Sequence, residues 1–404
     1  MIESSEKVGT NSWNGTRVLL RRRGQLRVLR GHPWIYQADV EQTEGVPKKG
    51  DLVDVYGSGR RFLGRGYINP DSQILVRLLT RDAEPINAAF FRKRIGAAMD
   101  YRKRLAIPSN AIRMVYADAD ALPGLLLDCY GDIGVIQILT AGMERLRGVL
   151  LPVIQELLRP HGTFLRNDAP SRLLEGLPLE KEYVATPFDP VVSILEDDLC
   201  FHVNIATGQK TGFFLDQREN RLALRPLAAD RQVLDCFCYT GGFALHAAKA
   251  GAQRVEGIDN SAEAVAAATE NAKRNHLSDR CAFRCGNVFE ELRQLQAAGR
   301  RFDLIIIDPP AFTKAKEALA GALRGYKEIN LRAMKLLNTG GILATSSCSY
   351  HLSEATFLKM LEDAATDAKA QCRILAIRTQ AADHPVLLSV PATKYLKCVF
   401  LERL

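Results

Sequence analysis

From about residue 198 onward, short apolar strands alternate with helical segments, and that rhythm admits few folds. Residues 233–236 (Val-Leu-Asp-Cys) read as a strand, 243–250 as an alanine-rich helix and 255–259 as the next strand. Asn260 is placed to cap a helix running to residue 275, with Glu263 completing a capping box. A strand at 281–285, a helix at 289–298, a strand at 304–308 and a helix at 326–337 continue the series. A strand at 341–346, a helix at 354–365 and two closing strands complete it. Regular βα alternation means a parallel, Rossmann-like sheet with helices on both faces, and such a sheet binds its ligand at the carboxyl ends of its strands.

Those strand ends carry the chemistry. The first runs Asp235-Cys236-Phe237-Cys238-Tyr239-Thr240-Gly241-Gly242-Phe243. Paired glycines let backbone approach a ligand closely, and the following helix offers free N–H groups. A tight turn explains the pair equally well, and the missing G-x-G-x-x-G spacing argues against NAD. Asp259 closes the second strand, where an acid suits hydrogen bonding to a ribose hydroxyl. Asn287 follows the third, either meeting an adenine edge or capping a helix. The fourth ends in Ile307-Asp308-Pro309-Pro310, whose prolines rigidify the turn and hold Asp308 at the sheet edge. After the fifth comes Ser346-Ser347-Cys348-Ser349. An isolated cysteine is usually a core thiol, but this one lies among polar residues at the active end of a strand, where a thiolate can attack a pyrimidine ring.

Earlier residues have another pattern. Short strands at 52–56, 62–68 and 74–79 make a small β domain over 17–85, too short to house a cofactor site of its own. A basic helix at 90–105 follows. Strands at 113–116, 125–129 and 134–139, a helix at 143–158 and strands at 163–167 and 183–185 make a central α+β domain over 86–190. The expected organisation is therefore a tail (1–16), these two domains, and the nucleotide-binding fold over 191–404. The polar N-terminus lacks the apolar stretch of a signal peptide or anchor, so a cytoplasmic location is expected.

Charge points to the partner. The 404 residues carry a formal charge of +8, which favours polyanions. Arg17, Arg21, Arg22, Arg23, Arg27 and Arg30 crowd one segment without an acid, and Arg92, Lys93, Arg94, Arg102, Lys103 and Arg104 are interrupted only by Asp100. Both clusters read as solvated faces on their own, and as an RNA-binding surface beside a nucleotide-cofactor domain. The nine cysteines fit neither a disulfide framework nor zinc spacing, so no metal is expected.

Taken in order, Gly208-Gln209-Lys210-Thr211-Gly212-Phe213-Phe214-Leu215-Asp216-Gln217-Arg218, then FCYTGGFA, IDPPAFTK, SSCS and Ala382-Asp383-His384-Pro385, the chain resembles the ribosomal RNA large-subunit methyltransferase I family. Arg30-Gly31-His32-Pro33-Trp34-Ile35-Tyr36 also resembles the start of that family's PUA domain, a small RNA-binding barrel. The likeness spans nearly the whole chain. It implies a class I S-adenosylmethionine-dependent methyltransferase forming 5-methylcytosine in 23S rRNA; it is compatible with a homodimer and leaves the oligomeric state open. It further implies that Phe214, Asp216 and Gln217 border the cofactor, that Tyr239, Thr240 and Gly241 meet its methionine part, and that Asp259, with Asn260 beside it, meets its ribose. Asn287, where relatives often have Asp, would face the adenine, while Asp308 and Cys348 would be catalytic. Many RNA cytosine-C5 methyltransferases have a cysteine directly after the Asp-Pro-Pro; Ala311 stands there in this chain.

Methylation of a guanine nitrogen is one competing reading, because related enzymes keep the Asp-Pro-Pro turn but need no cysteine after the fifth strand. A non-catalytic RNA-binding assembly factor is another, opposed by the intact Asp259, Asp308 and Cys348. A DNA methyltransferase is disfavoured by the PUA-like start.

Overall fold

The computed structural model describes residues 15–312 and 318–404. The expected tail lies outside that range except for its last two residues, as do Thr313 and Lys314 of the IDPPAFTK stretch. Two compact units form. One comprises the chain up to Val192 with Val203–Phe213 and Asp383–Thr393; the other comprises Ser193–His202, Phe214–Ala382 and Lys394–Leu404.

The first unit opens with β1 (Arg17–Leu20), α1 (Arg22–Leu29), β2 (Trp34–Tyr36), β3 (Val40–Glu44), β4 (Leu52–Tyr56), β5 (Phe62–Ile68) and β6 (Ile74–Thr80). These strands make a six-stranded sheet in the order β2-β6-β5-β4-β1-β3 around Val18, Val28, Ile35, Val53, Val55 and Val76. One expectation needs correcting. The arginine-rich stretch is a helix rather than part of a strand run: Gly24 and Val28, one turn apart, are buried while Arg21, Arg22, Arg23 and Arg30 are exposed. Asp54 of β4 is buried and paired with Arg65 at 2.7 Å on the facing strand.

Next come α2 (Ala88–Arg104), β7 (Ala111–Tyr116), β8 (Leu125–Tyr130), β9 (Ile133–Ile138), α3 (Ala141–Arg145), α4 (Arg147–Leu158), β10 (Gly162–Asn167), α5 (Ser171–Leu174) and β11 (Glu180–Val184). Their sheet runs β11-β10-β9-β8-β7. The single helix expected at 143–158 is two helices meeting at Leu146, which ends one and starts the other. The basic helix does not present all its charge to solvent either. Arg102 is buried, bonded to Asp120 at 2.6 Å and to the carbonyls of Arg113 and Asp383. Tyr67 of the first sheet joins the core of the second, and its hydroxyl donates to the Pro123 carbonyl at 2.8 Å.

A hairpin follows, β12 (Val191–Glu196) with β13 (Leu199–Asn204), then α6 (Arg218–Leu224); none of the three was expected. The second unit then alternates: β14 (Gln232–Cys236), α7 (Gly242–Lys249), β15 (Arg254–Asp259), α8 (Ala262–Arg274), β16 (Cys281–Cys285), α9 (Val288–Ala297), β17 (Phe302–Ile307) and α10 (Leu319–Leu336). β18 (Leu337–Ser347), α11 (Glu354–Ala368), β19 (Cys372–Arg378) and β20 (Lys397–Arg403) close it. The seven strands lie in the order β16-β15-β14-β17-β18-β20-β19. The first five run parallel, and β20 and β19 join antiparallel. Leu304 to Ile307 are fully buried because helices cover both faces of a central parallel strand. Strand order reverses between β14 and β17, which places a ligand crevice at their carboxyl ends.

The cap of α8 corrects another expectation. Asp259 accepts the Ser261 N–H at 3.0 Å, and Ser261 rather than Asn260 then caps the helix by accepting from the Ala264 N–H. Asn260 therefore lies one residue outside the helix, and its capping box with Glu263 does not form. The helix expected at 326–337 starts earlier, at Leu319.

Candidate active site

The site grows from the turn after β14. Phe237 (φ 65°), Tyr239 (φ 48°) and Gly241 (φ 86°) all take left-handed conformations there. Only glycine does so without strain, so two bulky aromatics in that region mark a turn held by its surroundings. Part of the hold is visible. Asp259 at the end of β15 accepts the Tyr239 N–H at 2.9 Å, and Asn271 of α8 donates to the Thr240 carbonyl at 3.1 Å. Gly241 is then the residue before α7; a Cβ there would sit 3.3 Å from that of Ala268.

Two buried polar atoms at this turn, Thr240 Oγ1 and Asp235 Oδ1, have no hydrogen-bond partner among the described residues. Burial pushes the Asp235 carboxyl well above the ordinary carboxylate range, and the charges of Asp308 and Asp259 push it further. Its other oxygen accepts the Ala244 N–H of α7 at 2.9 Å. Three acidic side chains thus converge where three neighbouring strands end. Asp235 was not singled out from sequence, although an acid closing a buried strand just before a glycine turn is a readable signal.

The segment before α6 supplies another wall. Phe214 meets the Tyr239 ring edge-on at 5.3 Å between centroids. Asp216 accepts from the Tyr395 hydroxyl at 2.6 Å, and Gln217 donates to Asp308 Oδ1 at 2.9 Å. Beneath Phe214 lies a buried charge cluster. Arg221 forks onto Glu196 at 2.5 and 2.6 Å and also donates to the Phe214 carbonyl. His246 Nδ1 accepts from Arg225, so its Nε2–H donates to Glu196 at 2.9 Å. Burial lowers the His246 pKa and keeps this ring neutral at neutral pH.

Around the Asp-Pro-Pro turn, the Phe312 ring packs at a tilt against Tyr326, 4.5 Å between centroids, and lies 6.0 Å from Phe289. Asn287 is exposed and caps α9 by accepting the Phe289 N–H at 2.9 Å. That oxygen is engaged, which leaves the amide hydrogens as its donors towards a ring. Asn260 is exposed as well, and its carbonyl faces the Cys285 thiol at 3.5 Å.

Cys348 follows β18, the direct parallel neighbour of β17, so it emerges at the same sheet edge as Asp308. It is half-buried among buried hydroxyls: Tyr326 is within 3.0 Å of Ser347 Oγ and 2.9 Å of Ser349 Oγ. Lys397, buried at the head of β20, donates to the Ser349 carbonyl at 2.7 Å. A lone lysine in an apolar strand was the available signal for it, and sequence reading passed it over. Cys236, Cys238 and Cys398 are buried, with thiols that burial pushes up. The Ala382-Asp383-His384-Pro385 stretch takes a structural position: Asp383 accepts the Arg113 N–H at 3.0 Å and pairs with His384.

Comparison with known proteins agrees with this architecture. A PUA-like domain matches residues 18–81, and the S-adenosylmethionine-dependent methyltransferase family matches residues 161–385. A solved structure of a proposed SAM-dependent methyltransferase from Streptococcus mutans superposes with TM-score 0.82 at 21% identity, covering 96% of this chain and 99% of that one. A second, complexed with SAH, gives 0.83 at 22%, with the same coverage. At such identity these establish the fold. The ribosomal RNA large subunit methyltransferase I of Klebsiella pneumoniae is 39% identical over 94% of this chain and 96% of its own length. The same enzyme of Tolumonas auensis is 40% identical over 95% and 98%, and that of Escherichia coli 38% over 94% and 98%. With the domain order matched from end to end, this chain belongs to the ribosomal RNA large subunit methyltransferase I family and is S-adenosylmethionine-dependent.

Proposed function

We propose that the protein forms 5-methylcytosine in 23S rRNA through a covalent adduct with Cys348. The observation that carries this reading is the emergence of Cys348 and Asp308 from adjacent parallel strands at one sheet edge. The cofactor would lie along that edge. Gly241 and Thr240 would cradle its methionine part, where the buried Thr240 hydroxyl awaits a partner, with Phe214, Asp216, Gln217 and Tyr239 alongside. Asp259 and Asn260 would meet the ribose, and Asn287 the adenine.

Cys348 Sγ adds to C6 of the cytosine, and the electron pair of the C5–C6 double bond moves to C5 and through C4 onto N3. Asp308 accepts from the exocyclic amine and holds the ring edge. S-adenosylmethionine, when bound, supplies the electrophilic sulfonium methyl that a nucleophilic C5 takes. Removal of the C5 proton then restores the double bond as Cys348 leaves. Since Ala311 cannot act as a base, another group or water takes that proton. A stacked base cannot reach this edge, so the target is unpaired or flipped. The PUA-like sheet, with its exposed arginines on α1, would grip the surrounding RNA.

The test is methyl transfer from labelled S-adenosylmethionine to unmodified large-subunit rRNA, comparing the wild type with Cys348→Ala and mapping the product. Label found as 5-methylcytosine and lost in the variant is expected. Label on a guanine, or a fully active variant, would sink the cysteine mechanism.

A further inference from the structure

Lys397 is out of character with its strand. It stands opposite Ser347 across β18 and β20, and it is 4% exposed. A lysine buried this far must find partners for its ammonium. It finds two carbonyls, that of Ser349 at 2.7 Å and that of Tyr395 at 2.8 Å. Ser349 directly follows Cys348, and Tyr395 is the residue whose hydroxyl holds Asp216. One side chain therefore links the cysteine turn to the wall of the cofactor site.

Carbonyls carry no net charge, so the ammonium remains electrostatically uncompensated by them. The nearby carboxylate, Glu354, is itself paired with Lys394 at 2.7 Å. The Tyr326 phenol, also close to Cys348, is pushed up by burial and stays neutral. Burial draws the Lys397 ammonium down to about 8, while the charge of a Cys348 thiolate works in the opposite direction. That interaction is mutual: whatever the thiolate does for the ammonium, the ammonium does for the thiolate.

We propose that Lys397 is a positioning residue for the nucleophile, tethering the Cys348 turn through the Ser349 carbonyl and stabilising the Cys348 thiolate by its charge. The assignment rests on the reading of Cys348 as nucleophile. Below about pH 8, where Lys397 is still mostly protonated, ionisation sends the Cys348 proton to water and the pair passes from one positive charge to none.

The experiment is the pH dependence of Cys348 alkylation by iodoacetamide in the full-length protein, read by mass spectrometry of its peptide. Exposed Cys285 is the internal reference. In the wild type, Cys348 should reach half-maximal reactivity at lower pH than Cys285; an equal or higher midpoint overturns the proposal without any variant. Lys397→Gln keeps a donor for the Ser349 carbonyl but removes the charge. Its Cys348 midpoint should rise by about one unit, a roughly tenfold loss of reactivity near neutral pH, while Lys397→Arg stays near the wild type. Binding of S-adenosylhomocysteine certifies that each variant is folded. A folded Lys397→Gln protein that alkylates like the wild type at every pH overturns the assignment. If Cys348→Ala still transfers methyl groups normally while the Lys397→Gln shift is present, the nucleophile reading fails and the electrostatic coupling stands. An inactive Cys348→Ala with unshifted alkylation fails Lys397 alone.

Discussion

Gln217 donates to Asp308 at 2.9 Å, tying the segment before α6 to the Asp-Pro-Pro turn at the end of β17. Asn220 donates in turn to Gln217 Oε1 at 2.6 Å, which fixes the amide's orientation. The carboxylate that would meet the base is thus oriented by a residue that would border the cofactor. Removing the bond by Gln217→Ala should lower kcat at least tenfold and cost about 1.5–3 kcal/mol, the worth of a hydrogen bond to a charged group. Steady-state kinetics beside a thermal melt would check both. An unchanged kcat would show that Asp308 is held by other means.

Thr240→Val separates ligand binding from stability. The Thr240 hydroxyl is buried without a partner among the described residues, so the isosteric change should leave the ligand-free melting temperature unchanged or raised. Affinity for S-adenosylhomocysteine should fall, by about 1 kcal/mol or roughly fivefold, if that hydroxyl meets the ligand. Calorimetric titration of both proteins decides it.

Glu196 gives the fold an acid-sensitive joint. Its burial raises the pKa, but Arg221 and the His246 hydrogen bond outweigh that and hold the carboxyl at about 2. A carboxyl depressed in the folded state stabilises above its unfolded pKa near 4.5. That stability fades as pH falls from there towards about 2. Glu196→Gln should flatten this part of the stability profile. Near neutral pH it should cost about 3–5 kcal/mol, because Arg221 is left buried without its counter-charge. Urea unfolding at pH 3 and pH 7 measures both effects.

Gly257 lies within β15, and a Cβ there would overlap the Phe283 ring and come within 3.1 Å of Cys238 Sγ. Gly257→Ala should therefore cost about 1–3 kcal/mol by overpacking, and it should weaken S-adenosylhomocysteine binding through the displaced turn. A variant as stable as the wild type would show that Phe283 yields without cost.

Exposed Arg22 and Arg30 offer a test of the RNA face. If each neutralises one phosphate, the double alanine variant should bind rRNA more weakly. Its salt dependence should be shallower by about two units of log–log slope. Filter binding at several salt concentrations reads the slope, and an unchanged slope would remove α1 from the RNA interface.

Much of this site was legible in the linear chain because a parallel sheet makes position along a strand equivalent to position in the site. Apolar strands ending in Asp259 and Asp308, and the polar cysteine turn after β18, had to emerge at one edge once the βα rhythm was recognised. Composition and periodicity likewise determined that two dissimilar sheets precede the nucleotide-binding one. What tertiary structure alone decided was the pairing of charge and the fate of buried polar groups. Lys397 and Tyr395 enter the site only because β20 folds back antiparallel beside β18; the Tyr395–Asp216 bond joins residues 179 positions apart. Arg102 turns inward because Asp120 and two carbonyls wait there, and Asn260 loses the helix cap because Asp259 takes the Ser261 N–H first. Whether a charge faces water or protein depends on partners that no local pattern encodes, whereas the edge at which a strand ends is set by the strand itself.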